Sequence, residues 1–237
     1  MNQVKRAIIM AAGIGNRMRP VTLETPKPLV KVNGVRMIDT VIKGLMENGI
    51  NEIHVVVGYL KEKFDCLKED YPQIDLIENP YYDTCNNISS LYVARDYIED
   101  AIILDGDQIV YNPKILEPKF ELSGYNCIWT DKDTDEWLLT VDNDVVTSCS
   151  RTGGKEGWQL YSVSRWSKED GKRLKKHLEI QFEEEKNTDI YWDDVAMFCY
   201  PNEYTLGIKE MKKGDIIEID NLDELAMMDE SYKKYLK

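Results

Sequence analysis

The chain has 237 residues, of which 43% are hydrophobic, enough for a sizeable core in one large domain or two small ones. It carries 43 acidic against 30 basic residues, a net charge of -13. That balance disfavours broad binding to nucleic acid or to an anionic membrane, and no stretch approaches the ~20 apolar residues needed to span a bilayer.

The opening run RAIIMAA reads as a buried strand that stops at Gly13. Residues 36–48 repeat apolar side chains at helical spacing (Met37, Ile38, Val41, Ile42, Leu45, Met46), and Gly49 marks the end. EIHVVVG is a second strand, KEKFDCLKED a short helix before Pro72, and IDLIEN a third strand. ISSLYVARDYI reads as a helix, and DAIILDGD as a fourth strand ending in carboxylates. Strands alternating with helices predict an α/β fold, a mostly parallel Rossmann-like sheet flanked by helices. Ligands of such sheets lie at the carboxyl ends of the strands, where Gly13 and Asp107 both fall. Further on, NCIWTD, EWLLTV, VVTSCS and WQLYSVS look like a β-meander. A charged helix is predicted over 168–185, a strand at DIIEID, and a closing helix over 221–236 capped by Asp220 or Asn221. The expected organisation is a single domain over 1–237 with a β-rich substrate-binding insert. Residues 1–110 would hold one substrate and 111–237 the other. The cysteines (Cys66, Cys85, Cys127, Cys149, Cys199) are odd in number and lack a CxxC pair. With no secretory pattern at the N-terminus, they read as reduced thiols of a cytoplasmic protein.

Charge is uneven. Residues 1–36 hold seven bases (Lys5, Arg6, Arg17, Arg19, Lys27, Lys31, Arg36) and one acid, Glu24; residues 37–237 hold 23 bases and 42 acids. The bases surround the glycines of AAGIGNRMRP, so a local anion site is the sharper reading and a solvated face the blander one. The loop is not a dinucleotide fingerprint, because Met18 takes the place of the third glycine; nor is it a Walker loop, because GK[ST] is missing. Taken together, AAGIGNRMRP and TPKPLVKVNG resemble the signature of the nucleotidyltransferase family that makes nucleotide sugars and related activated alcohols. The resemblance implies a nucleoside triphosphate on this loop. Ala11, Ala12, Gly13 and Gly15 would bring main-chain N–H groups to the phosphates. Arg17 would offer its fork to the β- and γ-phosphates, and Lys27, between Pro26 and Pro28, would neutralise the reacting ones.

Two acidic pairs, Asp105 with Asp107 in LDGDQ and Glu218 with Asp220 in IIEID, are ambiguous alone, since such pairs also cap helices. The resemblance implies that Asp107 and Asp220, with Glu218 beside them, hold Mg²⁺ through oxygen ligands, and that Asp105 lies on the nucleotide. There are two histidines, His54 in a predicted strand and His177 on the charged helix, and neither reads as catalytic. A phosphate or phosphonate dianion needs no general base to act as a nucleophile.

The second half is rich in aromatics. Trp129 and Trp166 are expected in the core, whereas Trp137 follows acids in TDEW and Tyr191 precedes them in IYWDD. Aromatic faces beside carboxylates suit an ammonium group. NNISSLY, DEWLLT, IYWDD and IEID narrow the resemblance to bacterial CTP:phosphocholine cytidylyltransferases and the related 2-aminoethylphosphonate cytidylyltransferases. That implies CTP near Asn86, Asn87 and Ser89, and an amine pocket of Trp137, Tyr191 and Asp194. Ile88, Ser89 and the RTGGKEGW loop depart from the phosphocholine pattern, so both acceptors stay open at this point. Rival readings are a sugar-1-phosphate nucleotidyltransferase and a non-catalytic regulatory relative, and the latter is disfavoured because Arg17, Lys27, Asp107 and Asp220 are all present. A monomer or homodimer is expected.

Overall fold

The computed structural model describes residues 1–236. Four apolar runs become the strands β1 (Arg6–Ala11), β2 (Glu52–Val57), β3 (Ile74–Glu78) and β4 (Ala101–Asp105). They pair in parallel in the order β4-β1-β2-β3. Their alternation decides what each face meets. Ala7, Ile9 and Ala11 pack with Ile38, Val41 and Leu45 of helix α1 (Met37–Glu47). Ile8 and Met10 pack on the other side, with Leu91 of α2 (Ile88–Val93) and Leu174 and Leu178 of α3 (Lys168–Glu179). Both faces are covered, which is why the strands read as continuous apolar runs. Helix α1 ends as its sequence implies: Gly49 takes φ +77°, and the Ile50 N–H donates to the Leu45 carbonyl.

Seven further strands follow in chain order: β5 (Gln108–Val110), β6 (Gly124–Thr130), β7 (Leu138–Asp142), β8 (Val145–Ser150), β9 (Gly157–Trp166), β10 (Gly207–Glu210) and β11 (Ile216–Glu218). The predicted strands all form, but not as a meander. β9 is ten residues long, so it pairs antiparallel with β6 along almost its whole length, from Gly157 to Arg165, and on its other edge with β7 at Trp158 and Gln159 and with β4 through Val163–Trp166. The result is one nine-stranded mixed sheet, β6-β10-β8-β7-β9-β4-β1-β2-β3, and the β-rich region continues the parallel sheet. β5 and β11 form a separate antiparallel ribbon, which returns residues 216–218 to the mouth of β4.

Three local expectations change. The helix predicted over 168–185 is α-helical to Glu179 and finishes in a π-helical turn, Ile180–Glu184. The closing helix breaks at Asp229, whose carboxylate accepts from the Asn33 and Ser231 N–H groups and so starts a separate turn. Trp166 is fully buried as expected, but Trp129 is half exposed and packs edge-on against Trp158 on the neighbouring strand. Among the described residues no helix is long and apolar enough to cross a membrane.

Candidate active site

The end of β1 opens into a loop that bends twice. Gly15 takes φ +69°, and a Cβ there would lie 3.1 Å from both Lys27 Cβ and Thr22 Cγ2. Glycine therefore lets the loop close onto the Lys27 turn, and Thr22 Oγ1 locks it by donating to the Gly15 carbonyl at 2.8 Å. Gly13 differs, because no atom lies within 4 Å of its missing Cβ and its backbone faces open space. Lys27 follows Pro26 in a short 3₁₀ turn and is 8% exposed. Its Nζ lies 2.6 Å from Asp107 Oδ2 and 3.1 Å from Asp220 Oδ1. Arg17 Nη2 reaches the same Asp220 oxygen at 2.8 Å, with the rest of its side chain in solvent. Burial alone would lower the Lys27 pKa; the Asp107 and Asp220 carboxylates overcome this and hold it above its ordinary value.

Opposite the lysine, Asp105, Asp107 and Glu218 point oxygens at one place, all within 4.8 Å of one another. Burial raises the pKa values of Asp105 and Glu218, and the neighbouring carboxylates raise them further. Asp107 Oδ1 is buried with no hydrogen-bond partner. An orphaned carboxylate oxygen inside an all-oxygen trio fits a hard divalent cation. Asp220 lies outside this trio and is held by Arg17 and Lys27, while Asp105, assigned from sequence to the nucleotide, lies within it. The cleft measures about 360 Å³ and is lined by Gly13, Gly15, Arg17, Lys27, Asp107 and Asp220 among others.

A second constellation lies along the same edge. Trp137 meets Tyr191 and Phe198 edge-on, with ring centroids 5.7 and 5.9 Å apart. Asp194 is 1% exposed; its Oδ2 accepts from the Tyr191 N–H at 2.9 Å. Its other oxygen is ion-paired with Arg151 Nη2 at 2.5 Å, outside good hydrogen-bond geometry. Asp193 is pushed up to about 7 by burial, with the Tyr125 hydroxyl opposing and Asp194 adding to the shift. The nearby Asp193 adds to the rise at Asp105, after burial and Asp107, so the carboxylate trio and this second group are electrostatic neighbours.

Residues 6–117 match the family described as Nucleotidyl transferase. The 2-aminoethylphosphonate cytidylyltransferase of Lancefieldella rimae is 38% identical over 98% of this chain and 94% of its own. The chain belongs to the nucleotidyl transferase family. This nucleotidyl transferase is also 32% identical to the choline-phosphate cytidylyltransferase of Streptococcus pneumoniae, over 96% of the chain and 98% of that protein. A solved structure of the CTP:phosphocholine cytidylyltransferase from Streptococcus pneumoniae superposes with a TM-score of 0.88 at 32% identity, covering 97% and 99% of the two chains.

Asn86, Asn87 and Ser89, expected beside CTP, are not among the residues lining the cleft around Lys27. Asn86 Nδ2 donates to the Asp189 carbonyl, and Asn87 Oδ1 accepts from the Trp192 N–H at 2.9 Å. Ser89 is buried, donating to the Asn86 carbonyl and accepting from Asn79. Asn86 and Asn87 thus tie the start of α2 to the segment carrying Tyr191, Asp193 and Asp194. His54 stacks on Tyr97, and His177 stacks on Tyr200 and bonds Tyr204, so both rings are engaged in packing. Asp193 and Phe198 are not among the residues expected from sequence; the paired acids of IYWDD signal the first, and Phe198 meets the group through the fold alone. Arg151 opens the RTGGKEGW loop, whose departure from the phosphocholine pattern bears on the acceptor, but its contacts with Trp137, Phe198 and Asp194 come from the fold.

Proposed function

We propose that the protein transfers CMP from CTP to a small acceptor bearing an amine and a phosphoryl group, with Mg²⁺, and releases pyrophosphate. 2-Aminoethylphosphonate is the preferred acceptor. The observation carrying this reading is the buried Lys27 ammonium, shared between Asp107 and Asp220 at the rim of the glycine loop. Arg17 and Lys27 lie where the triphosphate tail of a nucleotide on that loop would run, and they offset the repulsion between two anions about to react. An acceptor dianion is already a nucleophile, so its oxygen attacks the α-phosphorus in line while the bond to the departing pyrophosphate breaks. Asp105, Asp107 and Glu218 would hold Mg²⁺, which when bound supplies charge neutralisation at the phosphates. Lys27 and Arg17 orient the leaving group, and the acids at 193 and 194 hold the amine away from it. The identity to the Lancefieldella rimae protein supports the phosphonate acceptor. Phosphocholine is the second reading, favoured by the three aromatic rings of Trp137, Tyr191 and Phe198.

Pyrophosphate release from each nucleoside triphosphate, with 2-aminoethylphosphonate, phosphocholine and glucose 1-phosphate in turn, tests this. Comparable turnover with ATP, GTP or dTTP, or a preference for the sugar phosphate, refutes it.

A further inference from the structure

The aromatic group around Trp137 already contains a cation. The Arg151 guanidinium lies over the Phe198 ring at 4.0 Å and over Trp137 at 5.6 Å, and it ion-pairs with Asp194. These are the same two contacts, ring faces and a buried carboxylate, that an acceptor ammonium would seek there. We propose that Arg151 is a resident occupant of the acceptor pocket and sets its choice between primary and quaternary amines; this deepens the functional reading above and rests on it.

The turn that carries Arg151 is tightly built. Ser150 Oγ donates to the Gly153 carbonyl at 2.7 Å, and Thr134 and Gly154 form a two-way backbone bridge. Gly153 takes φ +69°, and any Cβ there would lie 1.7 Å from the Thr134 carbonyl oxygen. The base of the arginine is therefore held in place, and its side chain, 44% exposed, spans from this turn to the rings. A guanidinium stacked on Phe198 covers apolar ring surface.

The two amines differ in what that arrangement leaves them. A primary ammonium is compact and has three donors, so it bonds carboxylates and carbonyls without needing a whole ring face. A trimethylammonium has no donor and depends on the ring faces that Arg151 covers. With Arg151 in place the pocket favours the primary amine. Without it, Phe198 and Trp137 are uncovered and the quaternary amine gains.

The experiment is steady-state kinetics with CTP on the wild type, Arg151→Ala and Arg151→Lys, using 2-aminoethylphosphonate and phosphocholine. The ratio of their kcat/KM values is expected to move toward phosphocholine by about tenfold or more in Arg151→Ala, chiefly through a lower phosphocholine KM with little change in kcat. Arg151→Lys keeps a positive charge for Asp194 while uncovering Phe198, so it is expected to move the ratio the same way even if the alanine variant folds poorly. An unchanged ratio overturns the proposal. So does an equal rise in both KM values, which would mark Arg151 as a phosphoryl contact. If the wild type uses neither acceptor, the functional reading fails instead.

Discussion

Replacing Lys27 with methionine removes the ammonium and keeps most of the volume of the side chain. Its consequences can be sized from the site. Nζ lies 2.6 and 3.1 Å from two carboxylates, and the side chain is 10% exposed. Breaking a buried pair of this kind costs ~3–5 kcal/mol, because the partner charges are left without compensation. Here the partners are 24% and 26% exposed, so water recovers part of the loss, and ~2–3 kcal/mol is expected. For a chain of this size that lowers Tm by roughly 5–10 °C. Lys27 has a raised pKa, so its contribution is complete below the unfolded value and is lost only as pH rises through the folded one. Between pH 5 and 9 it is constant. The wild-type to variant difference is therefore expected to hold across that range. Mg²⁺ is expected to restore more stability to the variant than to the wild type. Turnover is expected to fall ~10²–10³-fold, the usual effect of losing one charged donor aimed at the transition state. Thermal melts with and without Mg²⁺, and pyrophosphate release, read these outcomes. A variant that melts with the wild type and turns over within threefold of it would refute the role given to the lysine.

Gly15→Ala is expected to destabilise by ~1–3 kcal/mol, since it forces a side chain into left-handed backbone against Lys27 and Thr22, and to raise the KM for CTP by displacing Lys27. Asp193 has a folded pKa raised to about 7, so the folded state holds a proton that the unfolded state has released above about pH 4. Stability is thus full below that range and falls as pH rises to about 7. Asp193→Asn is expected to flatten this decline in melts at pH 5 and 8 and to raise the acceptor KM; an unchanged pH slope would contradict the shift.

Periodicity made the parallel half legible. Ala7, Ile9 and Ala11 on one face and Ile8 and Met10 on the other are a period of two inside an unbroken apolar run, and the sequence reading found all four strands. It also placed Gly13, Arg17, Lys27 and Asp107 at one crevice, because glycine, charge and strand ends coincide within short stretches. The partners of the remaining strands were not legible. β9 serves three neighbours, and which residues meet which depends on its length and on the bulge between Tyr125 and Cys127, neither of which leaves a pattern in a single strand. The same limit explains Arg151. Nothing near it in the chain is aromatic at helical or strand spacing, and its partners Trp137, Asp194 and Phe198 arrive from separate elements. Residue type alone puts Trp129 in the core, yet it is half exposed near the end of its strand and meets only Trp158 edge-on.

The charges of the site form an axis. Arg17 and Lys27 converge on Asp220, which lies 203 and 193 residues further along the chain. Asp220 is itself fixed: its N–H donates to Glu224 Oε2, while Asn221 caps the following helix by accepting from the Glu224 N–H. The cationic end is thereby oriented before any ligand arrives, at a cost borne during folding and not during reaction. From that end the acids run through Asp105 to Asp193 and Asp194. A molecule with a phosphoryl dianion at one end and an ammonium at the other has lower energy in one orientation along this axis than in the reverse. The reversed molecule sets its dianion against the Asp194 carboxylate and its ammonium against Lys27, which is unfavourable at both ends. The aligned molecule directs its phosphoryl oxygen toward the glycine loop, where a nucleotide α-phosphate would lie. The net charge of -13 is therefore not featureless: the corner held by Arg17 and Lys27 would set the orientation of the amine-bearing phosphoryl acceptor proposed above.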